Sequence, residues 1–240
     1  MKNLQTWWKK WLGALILVWN KQVKFPLPGK LKTVCRKGAD PYEMAAFPLL
    51  GVFGALVVFL PGVVSLMIFS CFGSSLLFAL LAGVVWLFHD FGRGDGLISS
   101  RISSFLPEKN IPYHIVIPVV MLVLKLALLT ALFFHGAGLF LTAIWAGGLA
   151  IEALLIRDAE LPVMDFSDSA MRSFWIAMSL VLLLNVLFQP FGSALGALGF
   201  AIWWKAARER ITTTGNMTDE IRFSGAVCSW ILLLIGVLSI

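Results

Sequence analysis

Charge is what this sequence has least of. Only 13% of its 240 residues are charged, while 59% are hydrophobic, and the mean hydropathy is +0.89. Soluble domains carry about 25% charged residues, so this chain cannot cover its surface with polar groups in water. Paired cysteine is missing too. Cys35, Cys71 and Cys228 lie far apart with no Cys-x-x-Cys spacing, which excludes a disulfide framework or a zinc cluster and leaves Cys71 and Cys228 as small packing residues. There is no Gly-x-Ser-x-Gly elbow, no P-loop and no Gly-x-Gly-x-x-Gly dinucleotide fingerprint, so serine hydrolysis and those nucleotide folds have no support. Internal repeats and low-complexity tracts are absent. The longest polar segment between apolar runs has 25 residues, too few to fold alone.

What is present is apolar length. A hydrocarbon core about 30 Å thick takes roughly 20 apolar residues per helix. Runs of that kind cover 45–69, 71–89, 115–134, 139–156, 173–188, a short stretch ending near Trp204, and 223–240. The pattern predicts an all-α polytopic transmembrane helical bundle of about six to seven spans. Residues 1–240 form one integral membrane domain, with 1–44 as a basic interfacial and cytosolic N-terminal segment. The apolar stretch after Lys10 is interrupted by Trp and lacks a small-residue cleavage site, so it does not read as a signal peptide. Residues 4–19 read instead as an interfacial helix, with Trp7, Trp8, Trp11 and Trp19 at headgroup depth.

Charge, though scarce, is sorted. Segments 1–44, 90–114, 157–172 and 205–222 hold 18 of the 19 Lys and Arg and 12 of the 13 Asp and Glu. The turns between them at the other ends of the runs, around Ser70, His135–Gly138 and Gln189–Ser193, hold none. The positive-inside rule then turns the charged face toward the cytosol of a multi-pass inner-membrane protein.

Chemistry is expected where polar residues gather at that face. His89, Asp90 and Asp95 surround a Gly-rich stretch, and two carboxylates five apart could hold Mg²⁺ together with a diphosphate. Solvated acids at a helix end are the plainer reading. Glu108–His114 is a second candidate. Gly215–Glu220, with Arg208, Arg210 and Arg222 nearby, is a third, suited to clamping phosphate oxygens or simply to lipid headgroups. Lys125 and Glu152 are the two charges inside spans. On adjacent antiparallel helices they could form an ion pair, or serve a transported solute, although no inverted repeat supports transport.

Taken in order, these segments resemble the cobalamin synthase family (adenosylcobinamide-GDP ribazoletransferase) from about residue 14 to the C-terminus. Gln22-Val23-Lys24-Phe25-Pro26-Leu27-Pro28 resembles the family's Thr-Arg-Leu-Pro-Val-Pro, and Phe47-Pro48-Leu49-Leu50-Gly51 its Phe-Pro-Leu-Ile-Gly. His89 stands where the family begins His-Leu-Asp-Gly-Leu-Ala-Asp-Thr-x-Asp-Gly. Without gaps, Asp95 matches its second aspartate while Phe91 and Ile98 replace the other two; a shifted register matches Asp95-Gly96-Leu97 to Asp-Gly-Leu. Glu108 and His114 keep the acid and histidine of Asp-Ser-x-Leu-Gly-Thr-His, a lysine follows at Lys125, and Gly215-Asn216-Met217-Thr218-Asp219 is similar to Gly-Gln-Thr-Gly-Asp. The Asp-Gly-x-x-Ala-Arg pattern of the CDP-alcohol phosphotransferases is absent.

The resemblance implies a membrane transferase of cobalamin (vitamin B12) biosynthesis. It would join adenosylcobinamide-GDP to α-ribazole or its 5′-phosphate with release of GMP. The implied cofactor is Mg²⁺ on Asp90, Asp95, Glu108 and Asp219. His89 or His114 would orient or deprotonate the hydroxyl, as the catalytic residues, with Asn216, Lys125 and Arg208 on substrate. The expected partners are these substrates and the lipid bilayer, not nucleic acid. The thinned aspartate motif leaves an alternative: a catalytically impaired relative serving as a membrane scaffold or corrinoid-binding protein.

Overall fold

The computed structural model describes residues 2–22, 40–88, 91–106, 112–159, 167–211 and 217–240. Its helices are α1 (Lys2–Gln22), α2 (Asp40–Ser65), α3 (Cys71–Phe88), α4 (Phe91–Ser104), α5 (Tyr113–Phe134), α6 (Leu141–Asp158), α7 (Asp168–Phe188), α8 (Pro190–Ile211) and α9 (Met217–Leu238), with a 3₁₀ turn at Gly138–Phe140. Among the described residues there is no strand. The all-α bundle expected from composition is what forms.

Helix α6 is the axis of the bundle. Residues from Leu141 to Leu155 are buried apart from Ala143, and α2, α9, α7 and α8 all pack on it. Small side chains make this possible, because apolar helices in lipid associate by close van der Waals fit. A Cβ on Gly51 would lie 2.5 Å from the backbone nitrogen of Ala146, so α2 meets α6 nearly backbone to backbone. Phe47 is fully buried one turn earlier. The Phe-Pro-Leu-Leu-Gly stretch is therefore a packing motif.

The outward faces are apolar. Phe53, Leu60, Val119, Val123, Leu180, Leu187 and Ile202 are all exposed, the inverse of a protein that ends in water and the expected boundary with acyl chains. Among the described residues, five helices are long and apolar enough to cross a membrane: Tyr42–Ser65, Tyr113–Phe134, Gly138–Asp158, Asp168–Phe188 and Met217–Leu238. Helix α3 is apolar but shorter, over Cys71–Leu87. Helix α8 extends to Ile211, well beyond the short run ending at Trp204.

The two ends of the bundle differ as the charge pattern requires. At one end Cys71 Sγ lies 3.9 Å from the Phe134 carbonyl, and Gln189 donates to the Gly236 carbonyl at 3.3 Å. The α5–α6 turn there closes with Gly136 at φ 80°, a left-handed helix stop that favours glycine. At the other end lie the pairs Arg208–Asp158 and Arg101–Glu220.

Two elements depart from expectation. Helix α1 does not merely lie in the interface: Ala14, Ile16, Val18 and Gln22 are buried and it packs on α2, with the Trp11 and Tyr42 rings 4.8 Å apart. The side chains of Trp7 and Trp8 lie outside the described residues. Segment 90–114, expected to be a polar connection, contains helix α4.

Candidate functional site

Helix α4 organises the charged end. Arg93 reaches Asp219 at 3.9 Å, and Arg101 reaches Glu220. Between them, a Cβ on Gly94 would be 2.5 Å from Ala226 Cβ and 2.8 Å from the Arg222 carbonyl. These contacts place the crossing of α4 over the first half of α9. The glycine at the crossing lets the two helices touch.

Asp95 then projects toward two longer side chains from deeper in the bundle. Lys125 Nζ pairs with Asp95 Oδ2, and Trp230 Nε1 donates to Asp95 Oδ1 at 2.8 Å. Lys125 is twelve residues into α5 and Trp230 thirteen into α9, depths of about 18 and 20 Å. Both helices start at the charged end, and helical side chains lean toward the N-terminus, so both residues lean back toward Asp95. The ammonium also lies 3.9 Å from the Trp86 ring centroid and 4.9 Å from that of Trp230, where the π faces favour a cation. With 4% of its side chain exposed, Lys125 has exchanged water for a carboxylate and two indoles. Beside this cluster, a cavity of about 270 Å³ opens between α3, α4 and α5, with Asp95 and Lys125 in its wall and Gly83, Leu87, Pro118 and Leu122 around them.

Three other acids at this end are also paired. Glu220, 3% exposed, takes Arg101 bidentately, one contact at 3.3 Å, and Arg210 lies at 4.0 Å. The Arg101 guanidinium stacks 3.8 Å over the Phe223 ring. Asp219 has Arg222 at 4.0 Å as well as Arg93. Asp158 accepts from Trp204 Nε1 at 3.2 Å and lies 3.6 Å from Arg208. Paired in this way, buried carboxylates avoid the cost of an isolated charge.

The residues predicted from sequence are distributed as follows. Asp95 and Lys125 meet directly. Asp219 belongs to the same α4–α9 crossing through Arg93, two residues from Asp95. Arg208 is bound to Asp158 on α6. His114 is exposed near the start of α5, about 16 Å along that helix from Lys125. His89, Asp90, Glu108 and Asn216 lie outside the described residues.

The expected Lys125–Glu152 pair does not form, although Lys125 is indeed partnered. Helices α5 and α6 share a tight turn but scarcely touch beyond it, α5 packing on α3, α4 and α9. Glu152 instead accepts a 2.9 Å hydrogen bond from Gln22 of α1 and abuts Gly225 of α9.

Sequence reasoning passed over Trp86, Trp230, Arg93 and Arg101. No local signal separates Trp86 and Trp230 from the chain's other tryptophans. Arg93 and Arg101 sit in the polar segment 90–114, where three glycines mask the helical spacing.

Of the four implied Mg²⁺ ligands, Asp95 and Asp219 are among the described residues, and Asp90 and Glu108 lie outside them. Among the described residues no three His, Cys, Asp or Glu side chains group closely enough to hold a metal ion, and both oxygens of Asp95 are already engaged. What they do present is one cation, Lys125, in the wall of a cavity, with arginine–carboxylate pairs elsewhere at the same end. No family model, curated protein or solved structure matches this chain.

Proposed function

We propose that this chain is a cobalamin synthase-type transferase of the inner membrane, working on its cytosolic face. It would join adenosylcobinamide-GDP to α-ribazole or its 5′-phosphate and release GMP. The observation that carries this reading is Lys125, a cation deep in an apolar helix, held by Asp95 in the wall of a cavity at the charged end. An intramembrane charge held in this way marks a functional site by default. A corrinoid phosphodiester is amphiphilic, and this location offers it apolar walls and a cation together.

In the transfer, the α-ribazole hydroxyl oxygen bonds to the cobinamide-linked phosphorus. The bond from that phosphorus to the GMP-side bridging oxygen breaks, GMP carries away the electron pair, and the hydroxyl proton passes to a rim base. Such a reaction needs placement and charge neutralisation more than covalent help. Lys125 and the arginines of the α4–α9 crossing supply positive charge; the base would be His89 or His114, the latter about 16 Å along α5 from Lys125. The implied Mg²⁺ would be held by Asp90, Asp95, Glu108 and Asp219 and would neutralise phosphate charge.

A second reading is a relative that binds the corrinoid without turning it over. It is favoured by the saturation of Asp95, whose two oxygens serve Lys125 and Trp230. One experiment separates the two. Purified protein in nanodiscs is given adenosylcobinamide-GDP and α-ribazole with Mg²⁺ in the buffer, and both GMP release and corrinoid binding are measured. GMP release supports the transferase; binding without release supports the second reading; neither, from folded protein, removes both.

A further inference from the structure

A second cavity, of about 300 Å³, lies on the far side of α6 from Lys125, between α7 and α8, with Phe140 and Leu232 behind it. Its walls are almost wholly carbon: Met178, Val181 and Leu182 on one side, Ala197, Phe200 and Ala201 on the other. The Asn185 amide, the main polar group, is consumed internally, donating to Thr142 Oγ1 and the Val181 carbonyl, both at 2.9 Å. Leu182, Ala197 and Ala201 are exposed, so the groove opens sideways onto the face that meets lipid.

Its dimensions and its charge indicate the occupant. From Trp175 to Asn185 the groove follows α7 for ten residues, about 15 Å, or half of a hydrocarbon core about 30 Å thick. That is the depth of one leaflet. Asn185 and buried Ser193 form the floor, while the upper end is framed by Trp175 and Trp204, their rings 6.3 Å apart. Above this frame are exposed cations in helical register with the groove. Arg172 is one turn before Trp175, Lys205 one turn beyond Ala201, and Arg208 one turn beyond Trp204. Residues three or four apart share a helix face, so Arg172 and Lys205 stand over the mouth at headgroup level, while Arg208 is held by Asp158 at 3.6 Å.

We infer that the α7–α8 groove is a binding site for an anionic phospholipid, one acyl chain lying in the slot and the phosphate meeting Arg172 and Lys205. Tryptophans at the mouth suit the interfacial depth, and basic residues beside an apolar slot favour anionic over zwitterionic headgroups. The inference does not depend on the transferase reading.

The test uses the full chain in nanodiscs of equal phosphatidylglycerol and phosphatidylcholine, followed by native mass spectrometry of the lipid that survives extraction. One phosphatidylglycerol per chain is expected, favoured over phosphatidylcholine by about tenfold. Ala197→Phe, filling the slot, should cut retention of both lipids by about tenfold; should that variant lose its helicity, Ala201→Phe takes its place. Arg172→Gln with Lys205→Gln, both on the surface, should bring the two lipids to parity while leaving the slot occupied. Equal retention of the two lipids by the unaltered chain would overturn the site, as would full retention by the filled variant.

Discussion

Asp95 on α4 and Lys125 on α5 form an ion pair inside the bundle, and the lysine has almost no contact with solvent. Removing one partner of such a pair leaves an uncompensated charge, which costs about 3–5 kcal/mol. Replacing both with apolar groups of similar size is often neutral. Asp95→Asn is therefore expected to lower stability in detergent by about 3 kcal/mol, while Asp95→Leu combined with Lys125→Met recovers most of the loss. Denaturant titration followed by circular dichroism measures this. If Asp95→Asn unfolds at the same midpoint as the parent chain, the pair is not structural.

Trp230 tests the same cluster from α9. Trp230→Phe keeps a ring near the ammonium but removes the 2.8 Å hydrogen bond to Asp95 Oδ1. A hydrogen bond to a charged group contributes about 1.5–3 kcal/mol, so a loss near 2 kcal/mol is expected. In a double-mutant cycle with Asp95→Asn the two losses should fall short of additive, because both variants disrupt one interaction. Additive losses would mean that the indole and the carboxylate do not act together.

How much of this could be read in the sequence depends on scale. The helical membrane class follows from scarce charge, and the polar ends follow from its sorting. The Gly136 stop was legible as a His135–Gly138 turn. Helix α4 was not legible, because Gly92, Gly94 and Gly96 within six residues argue against a helix by local propensity. Tertiary contact overrides that: Gly94 is where α4 needs no side chain if it is to touch Ala226 and Arg222. The charged residues show the same limit. Lys125 and Glu152 stood out as intramembrane charges, but their partners, Asp95 and Gln22, are 30 and 130 residues distant in the chain. Spacing within one helix cannot identify a partner that depends on how α4 and α1 dock.

Glycine contacts give a sharper contrast between two helical glycines, Gly51 and Gly96. Gly51→Ala would place a methyl 2.5 Å from the Ala146 backbone nitrogen, and backbone cannot move aside as a flexible side chain does. The α2–α6 contact must open, at a cost of about 1–3 kcal/mol. A Cβ on Gly96 meets nothing within 4 Å, so Gly96→Ala should gain about 0.5–1 kcal/mol from helix propensity. Unfolding midpoints in one detergent compare them directly. Equal shifts for the two variants would contradict the α2–α6 packing.

Orientation in the membrane can be read from a native cysteine. Cys71 is exposed at the start of α3, beside the end of α5, and so belongs to the end that carries no Lys, Arg, Asp or Glu in its turns. Cys228 is fully buried and will not react in the folded chain. With Cys35→Ser removing the remaining thiol, a membrane-impermeant maleimide applied to intact spheroplasts should label Cys71. Thr218→Cys, made in a Cys35→Ser, Cys71→Ser background, sits exposed at the start of α9 near Asp219. It should react only after the membrane is opened, as the positive-inside rule predicts for an end rich in Lys and Arg. The reverse pattern would put the arginine-rich end outside, where a cytosolic nucleotide-linked corrinoid could not reach Lys125, and the proposed transferase would have no access to its substrate.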